Sequence, residues 1–321
     1  MPATVLITGA AGFVGANLTR RALRDGHPVH LIVRGEATPW RLADVAADVR
    51  LHRADLSDWE RIEAVVSAVR PDWVFHLAAH GAYSWETRLD AMVATNVTGT
   101  MNLVAACLRA GVATLVNTGS SSEYGFKDHA PAEDEWLDPA SDYAVTKAAA
   151  THYCRHVARN GGIAIPTLRL YSVYGPWEEP GRLVPSLLAR ALAGGWPPMA
   201  HPDIARDFVF TEDVVDAYLL AAAGPHADPG AVYNVGTGVQ TTLRGMVDAL
   251  RRIVSPPSEP VWGGMADRAW DTTTWVADNR KIRETLGWEP RFDLAAGLQA
   301  TVAWMEDHSD IVRRYREAVP L

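Results

Sequence analysis

The stretch Thr4-Val5-Leu6-Ile7-Thr8-Gly9-Ala10-Ala11-Gly12-Phe13-Val14-Gly15 decides the fold, because an apolar run of strand length leads directly into a glycine-rich turn. Glycines at this spacing can open a helix and let the backbone approach a pyrophosphate that lies on the helix N-terminus. A tight strand-to-helix turn also needs glycine for steric reasons when no ligand binds, so that alternative stays open. We predict that a dinucleotide cofactor contacts Gly9, Gly12, Phe13, Val14 and Gly15.

The first half of the chain alternates apolar runs of strand length with amphipathic stretches of helical length. Strand followed by helix, repeated several times, predicts a parallel sheet, and runs that are almost continuously apolar indicate that helices cover both faces. The predicted fold is therefore α/β, with a Rossmann-like doubly wound parallel sheet. The runs are 4–7, 29–33, 49–51, 73–77 and 114–117.

Proline and glycine become denser after Leu170, where the character of the sequence changes. The chain has 321 residues. A single hydrophobic core usually stops growing at about 250 to 300 residues, so two domains are expected. We assign 1–171 to a dinucleotide-binding domain, to which 205–224 return, and both 172–204 and 225–321 to a smaller C-terminal α/β domain that binds the substrate.

The charge balance and the cysteine count exclude several classes of protein. The formal net charge is −8, from 30 Lys and Arg against 38 Asp and Glu, and the basic residues form no block, so no nucleic-acid partner is expected. Cys107 and Cys154 lack the spacing of a disulfide framework or a metal site, which favours a reducing cytoplasm and no bound metal. We expect neither secretion nor membrane insertion, because a strand-like run begins at Thr4 without a basic leader and no apolar run reaches the roughly 18 residues of a membrane span.

The residue after the second predicted strand bears on the choice of cofactor. An acidic residue there usually holds the ribose hydroxyls of NAD, whereas this chain has Arg34, which favours the 2′-phosphate of NADP. Glu36 could still reach a ribose, and Arg34 could simply point into water, so NADP and NAD both stay open. Asp55 and Leu56 follow the third predicted strand and are expected to contact the cofactor, with a surface turn as the alternative.

Tyr143 and Lys147 stand four residues apart in a helix-forming segment, so both side chains lie on one helix face. A neighbouring ammonium and a positively charged nicotinamide should together lower the pKa of the phenol from about 10, which would suit Tyr143 to acid/base chemistry at neutral pH. A surface pair is the alternative, since this spacing also arises by chance. We predict that both residues are catalytic.

A run of serines, Ser120-Ser121-Ser122, ends the fifth predicted strand. The carboxyl ends of parallel strands are the edge where open sheets bind ligands, so these hydroxyls are expected near the substrate. A polar loop that only caps the strand is the alternative. His80 follows the fourth predicted strand, but a loop histidine is more often solvent-exposed, and we give it no role.

Several short motifs stand in a fixed order along the chain. They are Gly9-x-x-Gly12-x-x-Gly15, His76-Leu77-Ala78-Ala79, Asn96, the serine run before Tyr124-Gly125, Tyr143-x-x-x-Lys147, Arg169 to Pro176, Arg206-Asp207-Phe208-Val209 with Asp213-Val214, and Leu286 to Pro290. Together they resemble the extended short-chain dehydrogenase/reductase family, of the NAD-dependent epimerase/dehydratase type that modifies nucleotide-linked sugars. The resemblance covers nearly the whole chain. It implies cytoplasmic homodimers joined through two helices per subunit, here about 90–110 and 141–160.

The resemblance also implies roles for individual residues. Tyr143 would be the acid/base, Lys147 would bind the nicotinamide ribose, and a serine would orient the sugar. Counting back from Tyr124-Gly125 leaves two candidates for that serine; we predict Ser121 as the catalytic hydroxyl and keep Ser120 open. The remaining implied contacts are Ala78 and Ala79 on the cofactor pyrophosphate, Tyr171 and Val173 beside the nicotinamide, Ser120 and Ser122 on the substrate, and Arg206 on the nucleotide diphosphate, unless Arg206 pairs with Asp207 or Asp213.

The family includes ketoreductases, epimerases and dehydratases. The 4,6-dehydratases that act on dTDP- or CDP-glucose typically place Asp-Glu after the catalytic threonine, and here the pair is Ser122-Glu123, which weakens that activity. We therefore expect an NAD(P)-dependent enzyme, a 4-ketoreductase of a nucleoside diphosphate 4-keto-6-deoxyhexose. A nucleotide-sugar 4-epimerase with retained NAD is the first alternative. A 4,6-dehydratase and a non-catalytic dinucleotide-sensing protein are the others.

Overall fold

The computed structural model describes residues 2–35, 39–265 and 271–318. A seven-stranded sheet forms its centre, with strand order β3-β2-β1-β4-β5-β6-β9 and every neighbouring pair parallel. The prediction of an α/β fold with a Rossmann-like doubly wound parallel sheet is confirmed. Glu36, the alternative ribose contact, lies outside the described residues.

The elements follow one another with few long loops. The strands are β1 (Val5–Thr8), β2 (Val29–Val33), β3 (Arg50–Arg53), β4 (Trp73–His76), β5 (Thr114–Ser120), β6 (Thr167–Leu170), β7 (Ser172–Tyr174), β8 (Ala205–Phe210), β9 (Val232–Val235) and β10 (Gln240–Thr242). The α-helices are α1 (Phe13–Arg24), α2 (Trp59–Val69), α3 (Leu89–Met92), α4 (Gly99–Ala110), α5 (Asp142–Asn160), α6 (Leu183–Ala191), α7 (Thr211–Ala223), α8 (Leu243–Val254), α9 (Arg280–Leu286), α10 (Leu294–Asp307) and α11 (Ser309–Ala318).

Helices bury both faces of the large sheet, which explains the continuously apolar strands. In β1, Val5 and Ile7 pack into the cluster that includes α1 and α7 side chains, while Leu6 between them packs into the cluster of α2, α4 and α5. All three side chains are fully buried. Alternate residues of one strand therefore serve two separate cores.

A small sheet of order β10-β8-β7 lies apart from the large one, with its own apolar cluster from α6, α8, α10 and α11. The strands that form this small sheet do not follow the domain boundaries predicted from the sequence. β8 belongs to the small sheet, whereas α7, which follows it, packs on the large one, and β9 completes the large sheet beside β6. Short strands of similar composition can pair in either sheet, so composition could not assign them. The division into two domains stays a proposal.

One continuous helix, Leu89–Ala110, is long and apolar enough in composition to cross a membrane. It combines α3, a π-helical turn (Val93–Thr98) and α4. Half of its apolar window is buried inside the fold, a pattern that core helices share. The helix packs on the large sheet, since Leu103 and Val104 are completely buried there.

Candidate active site

The glycine-rich turn lies between β1 and α1, at the carboxyl edge of the large sheet. Gly9 has a φ of +71°, and a Cβ there would lie 2.4 Å from the Ala78 backbone nitrogen; a Cβ on Gly15 would lie 2.3 Å from the Gly9 oxygen. Both glycines are therefore required by the packing of the turn itself. Gly12 is different, because its Cβ would meet only the Gly9 oxygen, at 3.2 Å. As N-cap it brings no side chain to the end of α1, so that helix end fits the pyrophosphate of a dinucleotide.

An open cavity of about 350 Å³ lies at the ends of β2 and β3. Arg34 borders it, as the prediction of a cofactor contact requires. Two further arginines, Arg53 and Arg61, line it as well, and neither was predicted from the sequence. The residues that line it are Arg34, Gly35, Arg53, Ala54, Asp55, Asp58 and Arg61.

Asp55 and Leu56, the residues predicted after β3, take different positions. Ser57 donates to Asp55 Oδ1 from its hydroxyl at 2.7 Å and from its backbone nitrogen at 2.9 Å. These bonds, with Arg34 nearby, lower the pKa of the Asp55 carboxyl. Leu56 is buried in the core against α4. Asp55 therefore borders the cavity as a carboxylate. Leu56 packs in the core and supports the segment that carries Asp55.

Tyr143 lies in the first turn of α5, whose N-cap Ser141 accepts a hydrogen bond from the Ala144 nitrogen at 3.2 Å. Part of its side chain is accessible, but protein atoms surround the phenol. Burial raises the pKa of Tyr143 to about 12, and the Ser120 hydroxyl at the end of β5, within hydrogen-bonding reach, opposes that shift. The phenol is therefore protonated at neutral pH.

In the protein by itself, the pKa of Tyr143 is raised and not lowered; its lowering by Lys147 together with a positively charged nicotinamide stays a prediction. Burial dominates the pKa of the phenol, and the carboxylates of Glu123 and Glu86 raise it further. Lys147 is itself only 3% exposed. Burial lowers the pKa of its ammonium, against the pull of Glu123. The two side chains share a helix turn, and loss of hydration sets the direction of the pKa shift in both.

The structure separates the two serines between which the sequence left a choice. Ser120 ends β5 and lies against Tyr143. The chain then turns, and the Ser121 hydroxyl accepts a hydrogen bond from Trp275 Nε1 at 3.2 Å. Ser122 donates its backbone N–H to Ser120 Oγ at 3.2 Å. The hydroxyl beside the phenol therefore belongs to Ser120. Which of the two serines is the catalytic hydroxyl stays a prediction, and this position favours Ser120.

Glu123 holds Ser120 in place from a fully buried position. Its Oε1 accepts from the Ser120 backbone nitrogen at 2.8 Å and from Thr151 Oγ1 at 3.0 Å. Its Oε2 accepts from Arg169 Nε at 2.9 Å, and the two side chains of this ion pair are 0% and 3% exposed. Every carboxylate oxygen is engaged, so Glu123 supports the site and is not available as an acid or base.

The two alanines after β4 lie beside the glycine-rich turn. The Ala78 nitrogen donates to Thr8 Oγ1 at 3.3 Å, at the end of β1. This contact places Ala78, followed by Ala79, at the same edge of the sheet as Gly9. The structure thus brings the alanines and the glycines together, as the motif order predicted.

Tyr171 and Val173 lie where the chain passes from the large sheet to the small one. The Tyr171 nitrogen donates to the Val235 oxygen at 3.0 Å, and Val173 pairs with Val209 in the small sheet. The Tyr171 ring borders a small cavity together with Ser121. Their contact with a nicotinamide stays a prediction.

Arg206 lies on β8, with its guanidinium 3.5 Å from Asp271 and 5.5 Å from the centre of the Trp275 ring. Asp207 and Asp213, the partners considered from the sequence, accept backbone N–H groups instead. Trp275 thus connects the arginine to the serine turn, a link between distant segments that the sequence analysis missed. Contact of Arg206 with a nucleotide diphosphate stays a prediction.

The chemistry of this site centres on a proton. A protonated phenol and a serine hydroxyl lie side by side at the carboxyl edge of a parallel sheet, which also carries a helix end suited to a pyrophosphate. Among the residues that the structure describes, no group of three His, Cys, Asp or Glu side chains could hold a metal ion. The arrangement suits proton transfer to or from a substrate oxygen.

The chain matches the model of the NAD dependent epimerase/dehydratase family over residues 5–236. It is 35% identical over 316 residues to a UDP-glucose 4-epimerase of Mycolicibacterium smegmatis, covering 95% of this chain and 99% of that relative. It is 31% identical over 328 residues to a dTDP-glucose 4,6-dehydratase of Streptomyces griseus, covering 96% and 95% of the two chains.

A solved structure shows the same similarity along the chain. The crystal structure of the Thermotoga maritima UDP-glucose 4-epimerase with UDP-glucose superimposes with a TM-score of 0.87 at 28% sequence identity, and covers 95% of this chain and 99% of that one. The similarity therefore extends over both sheets and their helices.

Proposed function

The chain belongs to the NAD-dependent epimerase/dehydratase family and is an enzyme of the extended short-chain dehydrogenase/reductase type. From this premise we propose that it reduces the C4 ketone of a nucleoside diphosphate 4-keto-6-deoxyhexose, with NADPH as the reductant. One observation carries the proposal. The Tyr143 phenol, which is protonated at neutral pH, lies against the Ser120 hydroxyl at the carboxyl edge of the sheet, where the two can bind a carbonyl oxygen and the phenol can give it a proton.

The proposed reaction assigns each side chain a task. Ser120 and Tyr143 bind the ketone oxygen, and Tyr143 gives it a proton as the carbon is reduced. Lys147 binds the nicotinamide ribose next to this pair. When bound, the cofactor supplies the hydride. Arg206 binds the substrate diphosphate, with Trp275 beside it.

Elimination of water, as in a 4,6-dehydratase, fits the site less well. With Ser120 as the reacting hydroxyl, Ser121 and Ser122 occupy the positions where dTDP- and CDP-glucose dehydratases place Asp-Glu. The nearest carboxylate, Glu123, is held by Arg169, Thr151 and the Ser120 backbone. A 4-epimerase with retained NAD is the second candidate, because it would use the same phenol and serine and because a UDP-glucose 4-epimerase is 35% identical to this chain.

An assay with purified protein separates these activities. We expect oxidation of NADPH, followed at 340 nm, when a nucleoside diphosphate 4-keto-6-deoxyglucose is added. The CDP, dTDP, UDP and GDP forms should be compared. Interconversion of UDP-glucose and UDP-galactose without added cofactor, together with stoichiometric NAD in the purified protein, would instead establish the epimerase and remove the reductase.

The choice of NADP is supported by the three arginines that line the cavity at the ends of β2 and β3. Replacing Arg34 by alanine should weaken NADP binding by about 10- to 100-fold, since a charge-assisted hydrogen bond to the 2′-phosphate is lost, and should leave NAD binding nearly unchanged. Dissociation constants of both cofactors, from calorimetry, test this. Arg24→Ala, at the opposite end of α1, is the matched control. An equal loss for NAD and NADP would contradict the assignment.

A homodimer is supported by apolar side chains that the single chain leaves exposed on the two helices implied by the family. They are Leu89, Val93, Met101, Leu108 and Val145. Replacing Val145 by glutamate should raise the dimer dissociation constant by at least about 100-fold, because an unpaired charge would be buried in the interface. Light scattering after gel filtration measures the mass. Val261→Glu, at a valine elsewhere that is 70% exposed against 51% for Val145, should leave the dimer intact; a monomeric wild-type protein would refute the interface.

A cytoplasmic location is supported by the two cysteines, Cys107 and Cys154, which are buried free thiols. Buried thiols need no oxidising compartment, and burial raises the pKa of Cys154 to about 12, which keeps its thiol unreactive.

A further inference from the structure

The loop after β4, residues 80–86, is fixed to the helix turn that carries the phenol. The His80 nitrogen donates to Asn96 Oδ1 at 2.8 Å, and Asn96 Nδ2 donates back to the His80 oxygen at 2.9 Å. Asn96 Nδ2 also donates to Thr146 Oγ1 at 2.9 Å, and that hydroxyl donates to the Tyr143 carbonyl oxygen at 2.8 Å. The backbone of His80 is therefore held at a fixed position relative to Tyr143 by a chain of buried and partly buried hydrogen bonds.

The loop folds back so that a carboxylate faces the His80 ring. Gly81, with a φ of +92°, makes the turn. Glu86 Oε2 accepts from the backbone nitrogens of Gly81 at 2.9 Å and Tyr83 at 3.4 Å. Glu86 Oε1 lies 3.5 Å from His80 Nδ1. A carboxylate on that side favours the tautomer with its proton on Nδ1, which leaves the Nε2 lone pair as an acceptor.

His80 Nε2 is buried and has no hydrogen-bond partner among the described residues. A buried polar nitrogen without a partner is rare in native proteins and marks a position where a ligand can complete the bonding. The position is close to the helix turn that carries the phenol, because Asn96 joins the His80 backbone to Thr146, whose hydroxyl bonds the Tyr143 carbonyl oxygen.

Aromatic side chains connect the outer part of this loop to the segment before α6. The Tyr83 and Trp85 rings stack with centres 4.8 Å apart. A Cβ on Gly181 would lie 3.8 Å from the Trp85 ring, so the two segments touch. The next residue, Arg182, also acts by charge on Tyr143. The loop after β4 and the segment before α6 thus lie against each other.

We propose that His80 is a sugar-binding residue of this enzyme. Its Nε2 accepts a hydrogen bond from a hydroxyl of the hexose whose C4 oxygen meets Tyr143, and Glu86 is a positioning residue that holds the ring. This proposal rests on the proposed function, because it takes a nucleotide-linked hexose as its ligand. It makes His80 a specificity determinant, since a sugar without that hydroxyl leaves Nε2 unpaired.

Three substitutions of His80 test the role of Nε2. His80→Gln keeps a polar group near the Nε2 position, His80→Asn keeps one only near Nδ1, and His80→Phe keeps neither. The probes are UDP-, dTDP-, CDP- and GDP-glucose, and the one that the wild-type protein binds best is selected. The affinity of each variant is then measured for that nucleotide sugar and for the corresponding nucleoside diphosphate without the sugar. We expect His80→Phe and His80→Asn to weaken binding of the nucleotide sugar by about tenfold, with less than a twofold change for the free diphosphate.

His80→Gln should recover most of the lost affinity, and Glu86→Gln should weaken sugar binding by about threefold. Thermal melting of each variant with the free diphosphate confirms that the fold is intact. Equal losses for the sugar nucleotide and the diphosphate, or unchanged binding in His80→Phe, would overturn the role of His80. If the wild-type protein binds none of the nucleotide sugars, the proposed function itself fails, which is a separate outcome.

Discussion

Tyr143→Phe should lower the rate of substrate turnover by roughly 100- to 10,000-fold, because it removes the proton donor and leaves the ring in place. The phenol is protonated at neutral pH, and Ser120 is its hydrogen-bonding neighbour. Without the hydroxyl, the ketone oxygen must take its proton from water. Steady-state turnover with NADPH and the 4-keto sugar nucleotide measures the loss.

Tyr153→Phe is the matched control, since Tyr153 lies on the same helix and packs against the apolar cluster formed with α2 and α4. Its turnover should stay within about twofold of wild type, as expected for a substitution outside the site. Affinity for NADP should be nearly unchanged in both variants. Turnover by Tyr143→Phe within tenfold of wild type would mean that another group delivers the proton.

Arg169→Met should destabilise the protein by about 3–5 kcal/mol, because it leaves the Glu123 carboxylate charged, buried and without its cation. The two side chains are 3% and 0% exposed, and the guanidinium also lies 4.5 Å from the centre of the Tyr124 ring. Urea unfolding followed by circular dichroism gives the free energy of unfolding. Turnover should fall too, since Glu123 anchors the Ser120 backbone.

The double variant Glu123→Gln/Arg169→Met should recover part of this stability, because it removes both buried charges. Arg283→Met breaks an exposed ion pair with Glu289 and should change stability by less than about 1 kcal/mol. A loss below 1 kcal/mol for Arg169→Met alone would show that water reaches Glu123 and that the pair is not a support of the site.

The parts of the site that could be predicted from the sequence are those set by local spacing. Tyr143 and Lys147 share a helix turn, and the glycines follow a strand, so a short window of sequence identifies each group. Ser120 could not be separated from Ser121 in this way, because the decision depends on where the chain turns at the end of β5. That turn is held by Glu123, whose own partner Arg169 comes from another strand.

Groups brought in by distant segments were missed or misjudged for the same reason. Trp275 reaches Ser121 across 154 positions of the chain. Arg53 and Arg61 join Arg34 at one cavity from β3 and α2. His80, set aside as a loop residue, has a buried ring nitrogen and a backbone bound to Asn96.

By itself, the sequence determined the parallel sheet, the helices on both of its faces and the motif order of the family. Those features follow from apolar periodicity and from glycines at a tight turn, which act over a few neighbouring residues. Tertiary structure alone decided that β9 joins the large sheet and β8 the small one, that Ser120 meets the phenol, and that the pKa of Tyr143 rises. These outcomes depend on burial and on contacts between remote segments, and the free energy of a buried group is set by everything packed around it.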